Sequence, residues 1–235
     1  MKLALLILIL TFATLSAKAQ GTFQNLNFES AGVPAGTAQG SLVPVSEAFP
    51  GWNAYFTSSS ATVPAPQVSY DFVSLGGAAI SLVDTGSVTP IQGNYSAFLF
   101  GGANSPEVGG QDGQLYSATI SQTGTIPTGT ETLLMDARSF GASPVVAIDG
   151  QPINMIPLQT FANYTLYGGN ISTYSGFVET LSFTEPSSTT VAPTELLLDN
   201  ISFSPQAIPE PSPFVLSGIG GLLFALYRRF APKHK

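Results

Sequence analysis

Between residues 20 and 207 the chain has no long stretch with the apolar period of a helix, and its short apolar runs are cut by Gly, Pro, Asn and Asp. Such a pattern cannot supply helices with a continuous buried stripe, whereas strands need only about four to eight residues each. The runs at 22–29, 67–73, 79–83, 95–100, 114–121, 130–140, 145–148, 152–156, 161–167, 177–184 and 195–204 read as strands. Many short strands at close spacing predict an all-β fold, a sandwich or barrel. Asp149-Gly150 lies between two apolar runs and predicts a hairpin, because a type I′ turn needs positive φ at its centre. The segments 103–113 and 187–193 read as surface loops.

The two ends follow a different grammar. Met1-Lys2 is followed by an almost wholly apolar run to Leu15 and by Ala17-Lys18-Ala19, a small-x-small cleavage pattern. Residues 1–19 thus read as a secretory signal peptide, cut before Gln20. At the other end, Pro209-Glu210-Pro211 precedes an apolar stretch at 214–227, which is closed by Arg228, Arg229, Lys233 and Lys235. This stretch is shorter than the about 17–25 residues of a comfortable membrane span. It fits a bilayer as one short transmembrane helix, by local thinning or by snorkelling of the arginines. The basic cluster should stay cytoplasmic, which agrees with export of everything before it.

Composition narrows what the exported part can do. Six of the seven basic residues lie in the two ends, leaving Arg138 alone against thirteen carboxylates in 20–207, a net charge of −12. Phosphate recognition depends on Lys and Arg, so nucleic acid is excluded as a partner. The single His, His234, is in the tail and the chain has no Cys. The exported part consequently has no imidazole base, thiol nucleophile, disulfide or His/Cys zinc site. Glycoside hydrolysis by paired carboxylates needs none of these, yet the acids are scattered singly and mark no pair. The expectation is a protein that is not an enzyme. Four Asn-x-Ser/Thr triplets, at Asn94, Asn163, Asn170 and Asn200, are of the kind that arises by chance in a Ser/Thr-rich chain.

Pro209-Glu210-Pro211, the apolar stretch and Arg228-Arg229, together with the signal peptide, resemble the PEP-CTERM sorting signal of biofilm-forming bacteria. The resemblance covers 208–235. It implies that an exosortase, a membrane transpeptidase, acts near Pro-Glu-Pro and releases or transfers the protein. It also implies transient membrane insertion, then a cell-surface or extracellular location in an exopolysaccharide setting. The alternative is an uncleaved membrane anchor.

A second, more diffuse resemblance runs along 20–207. Asn27-Phe28-Glu29, Pro50-Gly51-Trp52, the run at 92–99, Val146-Ala147-Ile148-Asp149-Gly150 and Leu198-Asp199-Asn200-Ile201 occur in that order. The series looks like the jelly-roll β-sandwiches of the galactose-binding-like class, which includes carbohydrate-binding modules. In that class a structural calcium often sits near the first and last strands, and the resemblance implies Glu29 and Asp199 as its ligands.

Other readings come from the residues themselves. Strand alternation puts Asp199 on one face with Leu197, Ile201 and Phe203, so its carboxylate needs a partner in the core. That partner is Arg138, backbone amides, hydroxyls or a metal ion. Trp52, Tyr55 and Phe56 form a compact aromatic group; Trp52 and Tyr55 are candidates for stacking on a sugar of a polysaccharide, with core packing as the alternative.

Overall fold

A computed structural model describes residues 22–104, 113–189 and 193–208. The expected signal peptide at 1–19, the expected sorting residues Pro209, Glu210, Pro211, Arg228 and Arg229, and the expected short transmembrane helix at 214–227 fall outside them. So do most of the loop at 103–113, with Asp112, and part of the loop at 187–193. No helix among the described residues is long and apolar enough to cross a membrane.

The described chain is nearly all β. The first three elements are β1 (Leu42–Pro44), a four-residue helix α1 (Val45–Ala48) and β2 (Asn53–Thr57). Next come β3 (Thr62–Pro64), β4 (Gln67–Tyr70), β5 (Ala79–Val83), β6 (Ser96–Ala103) and β7 (Leu115–Thr125). Then follow β8 (Thr132–Phe140), β9 (Val145–Ile148), β10 (Gln151–Pro152) and β11 (Met155–Thr160). Last are β12 (Thr165–Asn170), β13 (Val178–Glu185) and β14 (Thr194–Ser204). Hydrogen bonding orders them β10-β9-β13-β7-β6-β14-β8-β12-β11, with β5, β4 and β1 branching from β6 and β2 and β3 from β7. Every pairing is antiparallel except β4 with β5.

This single sheet curls so that strands from its two arms share one core. Phe28, Trp52, Phe56, Ile120 and Phe183 meet Leu99, Leu133, Leu198 and Phe203 there. Trp52 lies between Phe28 and Phe183, with ring centroids 5.8 and 6.0 Å away. On the opposite face of β5, β6 and β14 a second cluster gathers Ala79, Val83, Ile91, Phe98, Phe100 and Leu197. Being covered on both faces explains why nearly every residue of β5 and β6 is buried, rather than every second one.

The arms join where β6 leaves β14 and pairs with β7 through Gly102–Tyr116 and Ala103–Leu115. Glycine is required at this crossing. A Cβ on Gly102 would overlap the Gly76 carbonyl and stand 2.8 Å from the Gly77 carbonyl carbon.

Most expected strands form, and 79–83 and 145–148 form with the expected bounds. The Asp149-Gly150 hairpin also forms: Ile148 pairs with Gln151, and φ is 47° and 75° at the two turn residues. The segment 22–29 is not a strand. It turns at Asn25 and Phe28, with φ of 50° and 57°, and so buries Phe23, Leu26 and Phe28 together. The run at 161–167 starts late, because residues 161–164 form the turn between β11 and β12. The run at 152–156 is divided between β10 and β11. Strands β1, β2 and β3 had no counterpart among the expected runs.

Candidate functional site

Three of the sequence patterns quoted above converge on one loop, residues 90–96. Glu29 reaches it from the N-terminal turns. Its Oε1 accepts the Asn94 and Tyr95 backbone N–H groups at 2.8 and 2.9 Å, and its Oε2 accepts Asn94 Nδ2 at 2.8 Å. Asp199 reaches it from β14. Its Oδ2 accepts Ser96 Oγ–H at 2.7 Å and Gln92 N–H at 3.0 Å, and its Oδ1 accepts Asn200 N–H at 2.6 Å. Asp136 of β8, opposite Asp199 in register, accepts Gln92 Nε2 at 2.6 Å and Asn200 Nδ2 at 2.9 Å. Gly93, at φ 61°, allows the loop to pass over Glu29, where a Cβ would stand 2.6 Å from the carboxyl carbon.

Burial pushes the Asp199 carboxyl up to about 6, and the hydrogen bonds from Ser96, Gln92 and Asn200 restrain that rise. Arg138 is not its partner: it is exposed and acts electrostatically on Glu195. Asp199 also does not share a face with Ile201 and Phe203. The register shifts between Asp199 and Ser202, with Asn200 at φ 47°, so the extra residue reverses the alternation. Ile201 and Phe203 enter the main core, whereas Leu197 belongs to the second cluster.

This constellation anchors a loop rather than forming an open oxygen cage. Calcium takes about 6–8 oxygen ligands, whereas N–H and O–H donors already engage the oxygens of Glu29 and Asp199. Among the described residues no group of three or more His, Cys, Asp or Glu side chains is placed to hold a metal ion.

The aromatic candidates separate. Trp52 is 4% exposed, and its indole Nε1–H donates to the Asn25 carbonyl at 3.1 Å. Its ring serves the core, where removing such a side chain costs about 3–5 kcal/mol. Tyr55 is half-buried, and both residues line a groove of about 810 Å³ beside Asn53, Thr62 and Pro64. The groove lining carries no charged side chain.

An aromatic platform stands elsewhere, on the turn between β11 and β12. Phe161 and Tyr164 stack with centroids 4.6 Å apart and planes inclined by 23°, and Phe161 is 39% exposed. Their turn is closed by Phe161 N–H donating to the Tyr164 carbonyl at 2.8 Å and by the Thr160–Thr165 pair. Tyr164 also packs on the second hydrophobic cluster. A groove of about 360 Å³ runs beside the platform, lined by Arg138, Asn163 and Tyr167. Neither ring stood out in the sequence, because a lone aromatic in a β-rich segment is uninformative until its position is known. The available signal was two aromatics flanking Ala162-Asn163, a short segment suited to a turn.

The chain matches no protein-family model, and no curated protein is similar to it.

Proposed function

We propose that this is an exported, non-catalytic surface or extracellular-matrix protein, delivered by a signal peptide and processed by an exosortase-type enzyme near Pro209-Glu210-Pro211. The carrying observation is the order of the tail: Pro-Glu-Pro, a short apolar stretch and Arg228-Arg229 after an all-β body with one cation. The tail pauses in the membrane with its arginines inside, and the body then reaches the cell surface or the surrounding matrix. For the body we propose a jelly-roll β-sandwich of the galactose-binding-like class. The convergence of Glu29, the 90–96 loop and Asp199 supports that reading, as does the core shared by the two arms of the sheet.

Contact with polysaccharide is part of the proposal, and the exposed Phe161–Tyr164 pair supports it. Burial of Trp52 weighs against a platform at that ring and would suit a purely structural matrix role.

The deciding experiment is intact mass and fractionation of the protein from a host with and without its sorting enzyme. The expected product begins at Gln20, ends near Pro209 and is lost when the enzyme is deleted. A membrane-bound chain that keeps Arg228 and Arg229 whatever the enzyme's status would overturn the sorting reading and leave an anchored surface protein.

A further inference from the structure

Arg138 is the only basic residue between Gln20 and Ile208. It extends from β8 into the groove beside the Phe161–Tyr164 platform. It is exposed, and among the described residues its guanidinium has neither a hydrogen bond nor an ion pair. A guanidinium carries five N–H donors in a fixed fork and no acceptor, a geometry that matches a carboxylate. Its field already favours the ionised form of the neighbouring Glu195, opposing the upward shift that burial imposes there.

The platform supplies a different kind of contact. The C–H face of a pyranose is apolar and flat enough to lie on an aromatic ring, while its edge is ringed with hydroxyls. Phe161 is 39% exposed and stacks on Tyr164, which in turn packs on the second hydrophobic cluster. A platform fixed by packing loses little freedom on binding. The exposed Asn163 side chain adds an amide that both donates and accepts. At about 360 Å³ the groove lies in the range of small-ligand sites, about 300–1,000 Å³.

We infer that Phe161, Tyr164 and Arg138 form a binding site for an acidic sugar, a pyranose ring bearing a carboxylate as in a polyuronate chain. The ring lies on the aromatic pair and its carboxylate pairs with Arg138. The inference rests on the reading of this protein as one that meets extracellular polysaccharide. The domain's net negative charge does not forbid such a ligand. At physiological ionic strength fields are screened over about 8 Å, so distant acids matter less than a cation in contact.

The test uses the full chain in mild detergent, titrated with trigalacturonate and, in parallel, with its neutral counterpart galactotriose, by calorimetry. Trigalacturonate should bind saturably and at least tenfold more tightly than galactotriose. Arg138→Gln should abolish that preference, and Phe161→Ala should weaken binding of both sugars. Melting temperatures of both variants, measured alongside, should stay near wild type because both positions are exposed. Absence of saturable trigalacturonate binding, equal affinity for the two sugars, or unchanged affinity in Arg138→Gln would overturn the site. The sorting experiment reads out separately: a correctly cleaved chain that ignores trigalacturonate loses this site and keeps the proposed function.

Discussion

Glu185 ends β13 with its side chain fully buried, and among the described residues its two carboxyl oxygens accept no hydrogen bond. The nearby Thr194 hydroxyl is directed to the Pro186 carbonyl. Burial pushes the Glu185 carboxyl up to about 8, and the charge of Glu195 adds to the rise. A folded-state value above the ordinary 4.5 means that the fold favours the neutral acid. That contribution to stability is fully present below about pH 4.5 and is lost as pH rises through 8. A shift of this size corresponds to on the order of a few kcal/mol. Glu185→Gln should melt with wild type at pH 4 and about 5 °C or more above it at pH 8.5. Parallel melting curves for the two proteins at both pH values would show that the ionised carboxylate finds compensation. Asp199 contrasts with Glu185 at this scale: it is also buried, yet three donors engage its oxygens, and its rise stops at about 6.

At the level of elements, the molecule depends on β6 serving two partners. Its first half lies between β5 and β14, and its last residues cross to β7. Gly101 and Gly102 permit the crossing because backbone from 76–77 and from Pro186 passes where side chains would stand. Gly102→Ala should destabilise the protein by about 1–3 kcal/mol, since neighbouring backbone cannot move aside as a flexible side chain can. Urea unfolding would measure this, and a change below about 0.5 kcal/mol would mean that the crossing yields. Strand pairing elsewhere is simpler. Thr119 faces Thr184 and Thr123 faces Thr180 across β7 and β13, each pair sharing a hydroxyl hydrogen bond of 2.9 Å. Such cross-strand pairs contribute roughly 0.2–1 kcal/mol each and need no deep burial.

Across the whole molecule, acidity and buried carboxyls act in the same direction. Glu185, Asp199 and Glu195 are all pushed upward, first by burial, and each makes the fold more stable when protonated. Residues 20–207 also carry a net −12, whose self-repulsion grows as the carboxylates ionise. Stability should peak near pH 4–5 and fall toward pH 8, the reverse of a protein held by salt-bridged acids. Added salt, at about 0.5 M, should recover part of the loss at pH 8, because it screens surface charge but not buried groups. A calorimetric pH series at two salt concentrations checks both statements. A maximum at pH 7 or above would contradict them.

The strand content, the Asp149-Gly150 hairpin and the exclusion of His or Cys chemistry were legible without coordinates. Each rests on local backbone preference or on which atoms the chain contains. Glu29 and Asp199 were linked only as calcium ligands implied by the resemblance, and their shared object, the 90–96 loop, was not legible. A carboxylate's partner depends on which distant amide the fold brings within 3 Å. The face of Asp199 was misread because a single extra residue in β14 reverses alternation, and its only local mark is the positive φ of Asn200. Trp52 and Phe161 show the same limit. Both are large rings in β-rich segments, and composition alone cannot say which is enclosed. Packing against Phe28 and Phe183 closes over Trp52, while a turn between β11 and β12 lifts Phe161 into solvent beside Arg138. Burial of a ring is a property of what packs on it, and those partners come from strands far apart in the chain.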